Sequence, residues 1–197
     1  MNTSPVTVLF FGPQGAGKGT QVKMLIEYLK KKSEKNIIQI DMGQLLRDMV
    51  AGGTYSGKLT DDVISIGGRM LDFMPIYVAT HNLVQNLTGI EHIVADGLAR
   101  GREQTSCWDQ AMTFYKRDNF CIINLELTEE DSIKRLLARG RNDDTASGIK
   151  KRLAWHKTDV EPQLTFLASR NRPIHNIDGG RSQDEVHGDV LKALGLS

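Results

Sequence analysis

The stretch Gly12-Pro13-Gln14-Gly15-Ala16-Gly17-Lys18-Gly19-Thr20 follows directly on an apolar run at residues 6–11. Residues 21–29 then repeat apolar side chains at helical spacing, which predicts a strand, a glycine-rich turn and a helix. Glycines let consecutive backbone N–H groups turn towards an anion, and a helix start adds free donors and a positive dipole end. This context is typical of a phosphate-binding loop rather than of a glycine-rich turn without a ligand. We therefore expect residues 12–20, the phosphate loop, to bind a nucleotide phosphate.

The phosphate loop departs from the general pattern at one position. The general pattern has Ser or Thr immediately after the lysine, whereas here Gly19 intervenes and the hydroxyl residue is Thr20. Lys18 would add a mobile full charge to the backbone donors of the loop.

Composition excludes several broad classes of protein. The chain has 25 Lys and Arg against 24 Asp and Glu, a net charge of +1, so its charge does not indicate nucleic acid or a membrane surface as a partner. No apolar run is long enough to span a bilayer. The first residues run straight into the first predicted strand, so we expect no signal peptide. Cys107 and Cys121 are expected to be buried thiols rather than a disulfide. We expect a cytoplasmic monomer.

Predicted strands and helices alternate along the chain. The strands are expected at 6–11, 37–40, 93–95, 120–127 and 173–177, and further helices at 41–50, 61–66, 75–87, 101–118, 128–138, 149–167 and 182–194. This order predicts an α/β fold over residues 1–197, a five-stranded parallel sheet with helices on both faces. Residues 41–73 contain little core-forming sequence and could be a mobile lobe inserted between strands. Residues 139–148 are predicted to be a polar loop.

Arginines cluster where strand ends and loops are expected to meet. Guanidinium groups hold phosphates in a fixed fork and stay charged at every relevant pH. Taken singly, each is more often a surface arginine or an ion-pair partner. The arginines in question are Arg47, Arg100, Arg135, Arg139, Arg141 and Arg152.

Four stretches together resemble the adenylate kinase family of nucleoside monophosphate kinases. Residues 12–21 resemble that family's version of the phosphate loop, with Gly-Thr after the lysine. The others are Met42-Gly43-Gln44-Leu45-Leu46-Arg47, then Asp96-Gly97-Leu98-Ala99-Arg100 with Gln104, and then 139–144 with 150–153. The resemblance implies a three-layer P-loop fold, with a monophosphate-binding lobe at 41–73 and a short lid at 139–148.

The resemblance also implies a role for each matching residue on the donor side. Lys18 and the backbone of Gly15, Ala16, Gly17, Gly19 and Thr20 would hold the phosphates of ATP. Arg139 would lie against the donor nucleotide, and Arg141 and Arg152 would close over the phosphates. Arg181 would meet the donor base through its backbone. Mg²⁺ would be held mainly by phosphates and water, with Asp96 orienting that water and no direct protein ligand.

On the acceptor side, the resemblance implies that Arg47 and Arg100 grip the monophosphate and that the Gln104 amide reads adenine. The full set of implied acceptor-binding residues is Met42, Arg47, Arg69, Met70, Leu71, Gly97, Arg100, Gln104, Arg141 and Arg152.

Three departures from the family's pattern also lie on the acceptor side. Met42 replaces a threonine, Leu71-Asp72 replaces a Val-Pro pair, and Ala99 replaces a proline. The donor-side and lid motifs keep the family's pattern better. The resemblance therefore implies transfer of the γ-phosphoryl group of ATP to a nucleoside monophosphate, and Gln104 favours AMP. A kinase for UMP or CMP, and a non-catalytic nucleotide sensor with a decayed acceptor site, are the alternatives. Simple NTP hydrolysis is disfavoured, because no second acidic strand end would position a water.

The remaining polar and aromatic residues have ordinary explanations. His156 follows Arg152 by one helical turn and is expected to be exposed or packed, because phosphoryl transfer needs no strong general base. Trp108 and Trp155 are expected to be packing residues. The pair Asp143-Asp144 is interpreted as a clamp on the arginines of the lid.

Overall fold

The computed structural model describes residues 4–140 and 144–196. In these residues, one sheet of five parallel strands runs in the order β2-β3-β1-β4-β5. Its strands are β1 Thr7–Phe11, β2 Ile37–Asp41, β3 His92–Asp96, β4 Cys121–Glu126 and β5 Ile174–Asp178. The predicted five-stranded parallel sheet is confirmed.

Helices connect these strands. They are α1 Lys18–Lys32, α2 Met42–Ala51, α3 Tyr55–Ile64, α4 Phe73–Asn86, α5 Arg102–Phe114, α6 Glu129–Arg139, α7 Ala146–Trp155, α8 Glu161–Ser169 and α9 Gln183–Ala193. A π-helical turn, His156–Val160, joins α7 to α8. None of the helices in the described residues is long and apolar enough to cross a membrane.

The central strand β1 contributes to a hydrophobic core on each face of the sheet. Leu9 and Phe11 pack in one core with side chains from α2, α4, α5 and α8. Val8 and Phe10 pack in the other core with side chains from α1 and α9. Successive strand residues point to opposite faces, so an unbroken apolar strand requires cover on both sides. The predicted three-layer arrangement is confirmed.

Some predicted helix boundaries were wrong. The helix expected at 61–66 begins at Tyr55 and ends at Ile64, because the Thr54 hydroxyl accepts from the Gly57 N–H, 3.1 Å away, and caps an earlier start. The helix expected from 149 begins at Ala146, where the Thr145 hydroxyl caps Gly148 in the same way. The expected capping box of the last helix, Ser182 with Glu185, is present.

The strand register gathers the chemically important residues at one edge of the sheet. Asp96 lies opposite Phe10 of β1 and opposite Asp41 of β2. The carboxyl ends of β1, β2 and β3 therefore lie side by side, before the phosphate loop, α2 and the Gly97–Arg100 turn respectively. Ligands of open parallel sheets bind at this carboxyl edge.

The cysteines form no disulfide. Cys121 is buried in β4, while Cys107 of α5 is only partly buried, so the expectation of two buried thiols is correct for Cys121 alone.

Candidate functional site

The phosphate loop has the shape that its glycines were expected to give it. Gly12 has φ +129°, and a Cβ there would lie 2.3 Å from the Leu125 carbonyl oxygen. Gly17 adopts the left-handed region, with φ +93°, as the N-cap of α1. The helix therefore starts without a capping side chain. The Thr20 N–H donates to the Gly17 carbonyl oxygen at 3.0 Å, and the N–H groups of Lys18 and Gly19 before it suit an anion.

Lys18 lies over the loop that precedes it. Its Nζ donates to the carbonyl oxygens of Gly12 and Pro13, at 2.8 and 2.9 Å. Removal from water lowers the pKa of this ammonium group, and the nearby Asp96 carboxyl opposes that effect. The Lys18 side chain is thus held against the first residues of the phosphate loop.

Asp96 ends β3 next to Lys18. Burial raises its pKa, while the charge of Lys18 acts in the opposite direction. Its Oδ1 is buried and accepts no hydrogen bond from the part of the chain that the structure describes. A buried carboxylate oxygen with unused acceptor capacity fits a water of a hydrated cation. Within 4–140 and 144–196, no group of three or more His, Cys, Asp or Glu residues could hold a metal directly.

A cavity that is partly open to solvent lies between the phosphate loop and the Gly97–Arg100 turn. Lys18 and Gln14 line it from the loop and Arg100 from the turn. Trp155, at the end of α7, and His156, at the start of the π-helical turn, line it as well. The Arg100 guanidinium lies 5.4 Å from the centre of the Trp155 ring. The structure thus brings the implied donor lysine and the implied acceptor arginine to the same cavity.

Two of the implied lid arginines share one carboxylate. Arg139 donates from Nε and Nη2 to the two oxygens of Asp144, each at 2.8 Å, and Arg152 Nη2 donates to Oδ1 at 2.6 Å. Burial alone would raise the pKa of Asp144, but these two arginines hold it below its ordinary value. Asp144 therefore joins the end of α6 to α7, as the clamp interpretation expected. Arg141 and Asp143 lie outside the described residues.

The residues implied on α2 and in the segment before α4 differ in their surroundings. Arg47 donates from Nη2 to Gln44 at 2.9 Å on the open side of α2. Met42 is buried in the core, in contact with the sheet, and Met70 packs against the same core. Leu71 is exposed.

Three side chains form a network on the acceptor side. Arg69 Nη1 and Gln104 Nε2 both donate to Asp72 Oδ1, at 2.5 and 2.7 Å. Gln104 Oε1 in turn accepts from the backbone N–H of Arg100 at 3.1 Å. We call Arg69, Asp72 and Gln104 the acceptor network. Sequence reasoning flagged Asp72 only as a departure and missed its contact with Gln104.

The turn before α9 adjoins the phosphate loop. Arg135 donates to the carbonyl oxygens of Gly179 and Gly180 at 2.8 and 3.2 Å, and to Gly15 at 3.4 Å. Arg181 itself is partly exposed and pairs with Asp178 and Asp189. Arg135, which had no assigned role, is therefore the residue that ties this turn to the loop.

His156 is packed, as expected, and the surface against which it packs is the candidate site. Its side chain is buried and lines the cavity with Lys18 and Arg100. Burial, helped by these two cations, lowers its pKa to about 4. No sequence signal indicated this, because the π-helical turn that begins at His156 has no recognisable pattern.

Comparisons with known proteins agree with this geometry. A sequence model of the family described as "Adenylate kinase" matches residues 10–172. An adenylate kinase of Leptospira biflexa is 30% identical over 191 residues, which cover 95% of this chain and 98% of the relative. An adenylate kinase of Thermus thermophilus is 28% identical over 193 residues, covering 96% of this chain and 97% of the relative. "Adenylate kinase 1" of a Nostoc species is 28% identical over 188 residues, covering 95% and 98%.

The match spans the phosphate loop, the Gly97–Arg100 turn, the acceptor network and the arginines that hold Asp144. The chain therefore belongs to the adenylate kinase family of ATP-dependent nucleoside monophosphate kinases.

Proposed function

We propose that this protein transfers the γ-phosphoryl group of ATP to AMP and so forms two molecules of ADP. The observation that carries the proposal is the shared cavity, which Lys18 reaches from the phosphate loop and Arg100 from the Gly97–Arg100 turn, which we call the acceptor turn. Two cations that line one cavity from different segments of the chain suit a phosphoryl group in transit between two nucleotides.

On the donor side, the N–H groups of residues 15–20 and the Lys18 ammonium would hold the phosphates of ATP. Arg139 and Arg152 lie close together on Asp144 and would turn to the phosphates when the 139–148 segment closes. Closure would exclude water and so favour transfer over hydrolysis. The 139–148 lid and the 41–73 lobe are part of this proposal.

Mg²⁺ bound to the phosphates would neutralise charge that develops during transfer. Asp96 would orient a water molecule bound to this cation. The buried Oδ1 of Asp96 accepts no hydrogen bond from the described residues and so can accept one from that water. The Asp96 side chain would in this way act on the cation without binding it directly.

On the acceptor side, Arg47 and Arg100 would bind the monophosphate, and Gln104 would read the base. Gly97 allows this arrangement, because a Cβ there would lie 2.9 Å from the Arg100 guanidinium. Leu71, Met70 and Arg69 would border the base on the side of the 41–73 lobe.

A panel of AMP, CMP, UMP, GMP and dTMP, assayed for ADP formation from ATP, tests the proposed acceptor. We expect AMP to give the highest kcat/KM. Arg100→Ala should lower kcat/KM for AMP by about 100-fold or more. Arg102→Ala is the matched control, because Arg102 is exposed and its guanidinium lies over Phe166, 3.6 Å from the ring centre. Preference for UMP or CMP, or equal losses in the two variants, would contradict the proposal.

A nucleotide sensor is the second candidate, and one observation favours it. Gln104 is buried, with 4% of its surface exposed, and both the oxygen and the nitrogen of its amide already make a hydrogen bond within the protein. ATP binding without ADP formation from any acceptor in the panel would select the sensor.

A further inference from the structure

Asp72 stands at the N-cap position of α4, yet its carboxylate does not cap the helix. Asp is favoured at an N-cap because its side chain accepts from the first N–H groups of the helix. Here the side chain accepts from Arg69 and from the Gln104 amide instead. The carboxylate is thus committed to a residue 32 positions further along the chain.

The Asp72 side chain is an acceptor that cannot also donate. Burial alone would raise its pKa, but hydrogen bonds from Arg69 and Gln104 lower it and keep the group ionised. The side chain is 17% exposed and lies at the rim of the acceptor region. Glu103, the neighbouring carboxyl on α5, also faces Asp72, and Asp159 of the π-helical turn faces Arg69 at 2.9 Å.

The surroundings of the Gln104 amide allow one orientation. The Asp72 carboxylate requires an N–H, which is Nε2 at 2.7 Å, and the Arg100 backbone N–H requires an oxygen, which is Oε1 at 3.1 Å. A flipped amide would set oxygen against carboxylate and N–H against N–H. Each mismatch would leave a buried polar group unsatisfied, which costs free energy.

A glutamine that can flip reads two kinds of purine equally well. Adenine presents an acceptor at N1 and a donor on its 6-amino group, whereas hypoxanthine presents a donor at N1 and an acceptor at its 6-oxo group. The two bases have almost the same shape, so only the direction of hydrogen bonding separates them. Gln104 keeps one N–H and one lone pair for a base, and their positions are fixed.

We propose that Asp72 is a positioning residue that fixes the Gln104 amide and thereby makes the acceptor site select 6-amino over 6-oxo purine monophosphates. This inference rests on the proposed function, in which Gln104 reads adenine. Asp72 acts through Gln104 and does not itself contact the acceptor.

The test compares AMP with IMP as acceptors, with ATP as the donor. The wild-type protein should prefer AMP in kcat/KM by about 100-fold, the order expected for a buried mismatch of donor and acceptor. Asp72→Asn keeps the size of the side chain but can donate as well as accept. It therefore removes one of the two constraints on the amide, so that only the Arg100 N–H still opposes the flipped orientation. The AMP-to-IMP ratio should fall by about tenfold, while the KM for ATP stays unchanged.

Two further variants separate positioning from a general structural effect. Asp72→Thr supplies a residue that suits an N-cap, so it should fold, and its hydroxyl can also donate or accept. It should lower the ratio as Asp72→Asn does. Asp159→Asn removes the other carboxylate on Arg69 without touching Gln104, and should keep the wild-type ratio.

An unchanged AMP-to-IMP ratio in both Asp72 variants would overturn the inference. Equal use of AMP and IMP by the wild-type protein would also overturn it, because a fixed amide cannot match both bases. If the wild-type protein forms no ADP at all, the proposed function fails by itself. The dissociation constants of AMP and IMP, measured by calorimetry in the same variants, would then still decide the role of Asp72.

Discussion

The phosphate loop is shaped by its own backbone, whereas the acceptor network is held by side chains that are distant in sequence. In the loop, Gly12 and Gly17 have positive φ and Lys18 binds carbonyl oxygens only five and six residues before it. In the acceptor network, Gln104 binds a carboxylate 32 residues away, and Arg69 binds Asp159 of the π-helical turn. The loop is thus a local structure, and the acceptor network depends on the packing of several elements.

The difference has a functional consequence for a kinase of this family. A phosphate loop recognises a group that all nucleoside triphosphates share, so backbone donors are sufficient. An acceptor base must be distinguished from similar bases, which requires side chains with a fixed hydrogen-bonding direction. The departures from the family's pattern, Met42, Asp72 and Ala99, all lie on the side for which we propose this distinction.

The largest effect is expected at Lys18. Lys18→Met should lower kcat by about 1000-fold or more, because the phosphates would lose a positioned charge, while the fold stays intact. Lys23→Met is the control, since Lys23 is exposed on the same helix, and it should keep nearly the wild-type rate. Steady-state ADP formation and circular dichroism are the measurements. Similar rates in the two variants would show that the loop does not act through this lysine.

The next effect tests whether backbone shape alone builds the loop. Gly12→Ala should lower the free energy of unfolding by about 3 kcal/mol, because its Cβ would collide with the Leu125 carbonyl at a positive φ. Gly19→Ala is the matched variant, since a Cβ there meets nothing within 4 Å. Urea unfolding should show Gly19→Ala at least as stable as the wild type. Equal stability of the two variants would contradict the backbone explanation.

These two predictions concern the part of the molecule that the sequence describes well. Apolar runs located every strand. β1, β3 and most of β4 are buried and largely apolar, whereas the edge strands β2 and β5 are only partly buried and were recognisable from their isoleucines. The phosphate loop was recognisable, because its glycines and Lys18 are contiguous. The implied pairing of Arg139 and Arg152 through Asp144 also involves residues close in the chain.

Some parts that the sequence did not reveal are local, and others depend on contacts between distant segments. The earlier start of α3 depends on the local Thr54 cap, which was missed because the apolar pattern is clear only further along the helix. His156 begins the π-helical turn and lines the cavity, although the spacing between Arg152 and His156 is that of an ordinary helix. The bond between Asp72 and Gln104 could not be predicted, because an Asp before a helix normally caps it.

A third prediction concerns His156, which lies where the two regions meet. Its pKa of about 4 lies below the ordinary value of 6.5, so the unfolded chain takes up a proton that the folded chain does not. Stability should therefore fall as the pH decreases from about 6.5 towards 4, and the contribution of this residue should reach about 2 kcal/mol at pH 4.5.

Urea unfolding at pH 7 and pH 4.5 measures this contribution. His156→Gln has no such proton, so its stability should decrease less than that of the wild type over the same interval. His175→Gln is the control, because His175 lies in β5, outside the residues that line the cavity. Equal losses in the wild type and His156→Gln would contradict a buried neutral imidazole.

The smallest effect is expected at the ion pair between Arg69 of the acceptor network and Asp159. Arg69 and Asp159 are 27% and 35% exposed in their side chains, and pairs this open to water contribute about 0–1 kcal/mol. Asp159→Asn should therefore change the free energy of unfolding by less than about 1 kcal/mol. A much larger loss would show that this ion pair, rather than Asp72, holds the acceptor side together.

The central claim is that the phosphate loop and the acceptor turn form one two-nucleotide site. Transfer of labelled γ-phosphoryl from ATP to AMP tests it most directly, measured in a single turnover with excess protein. We predict that the label appears in ADP, and that it does so at least about 100-fold more slowly in Arg100→Ala. Label that stays in ATP, or is released as inorganic phosphate while AMP is bound, would contradict the account.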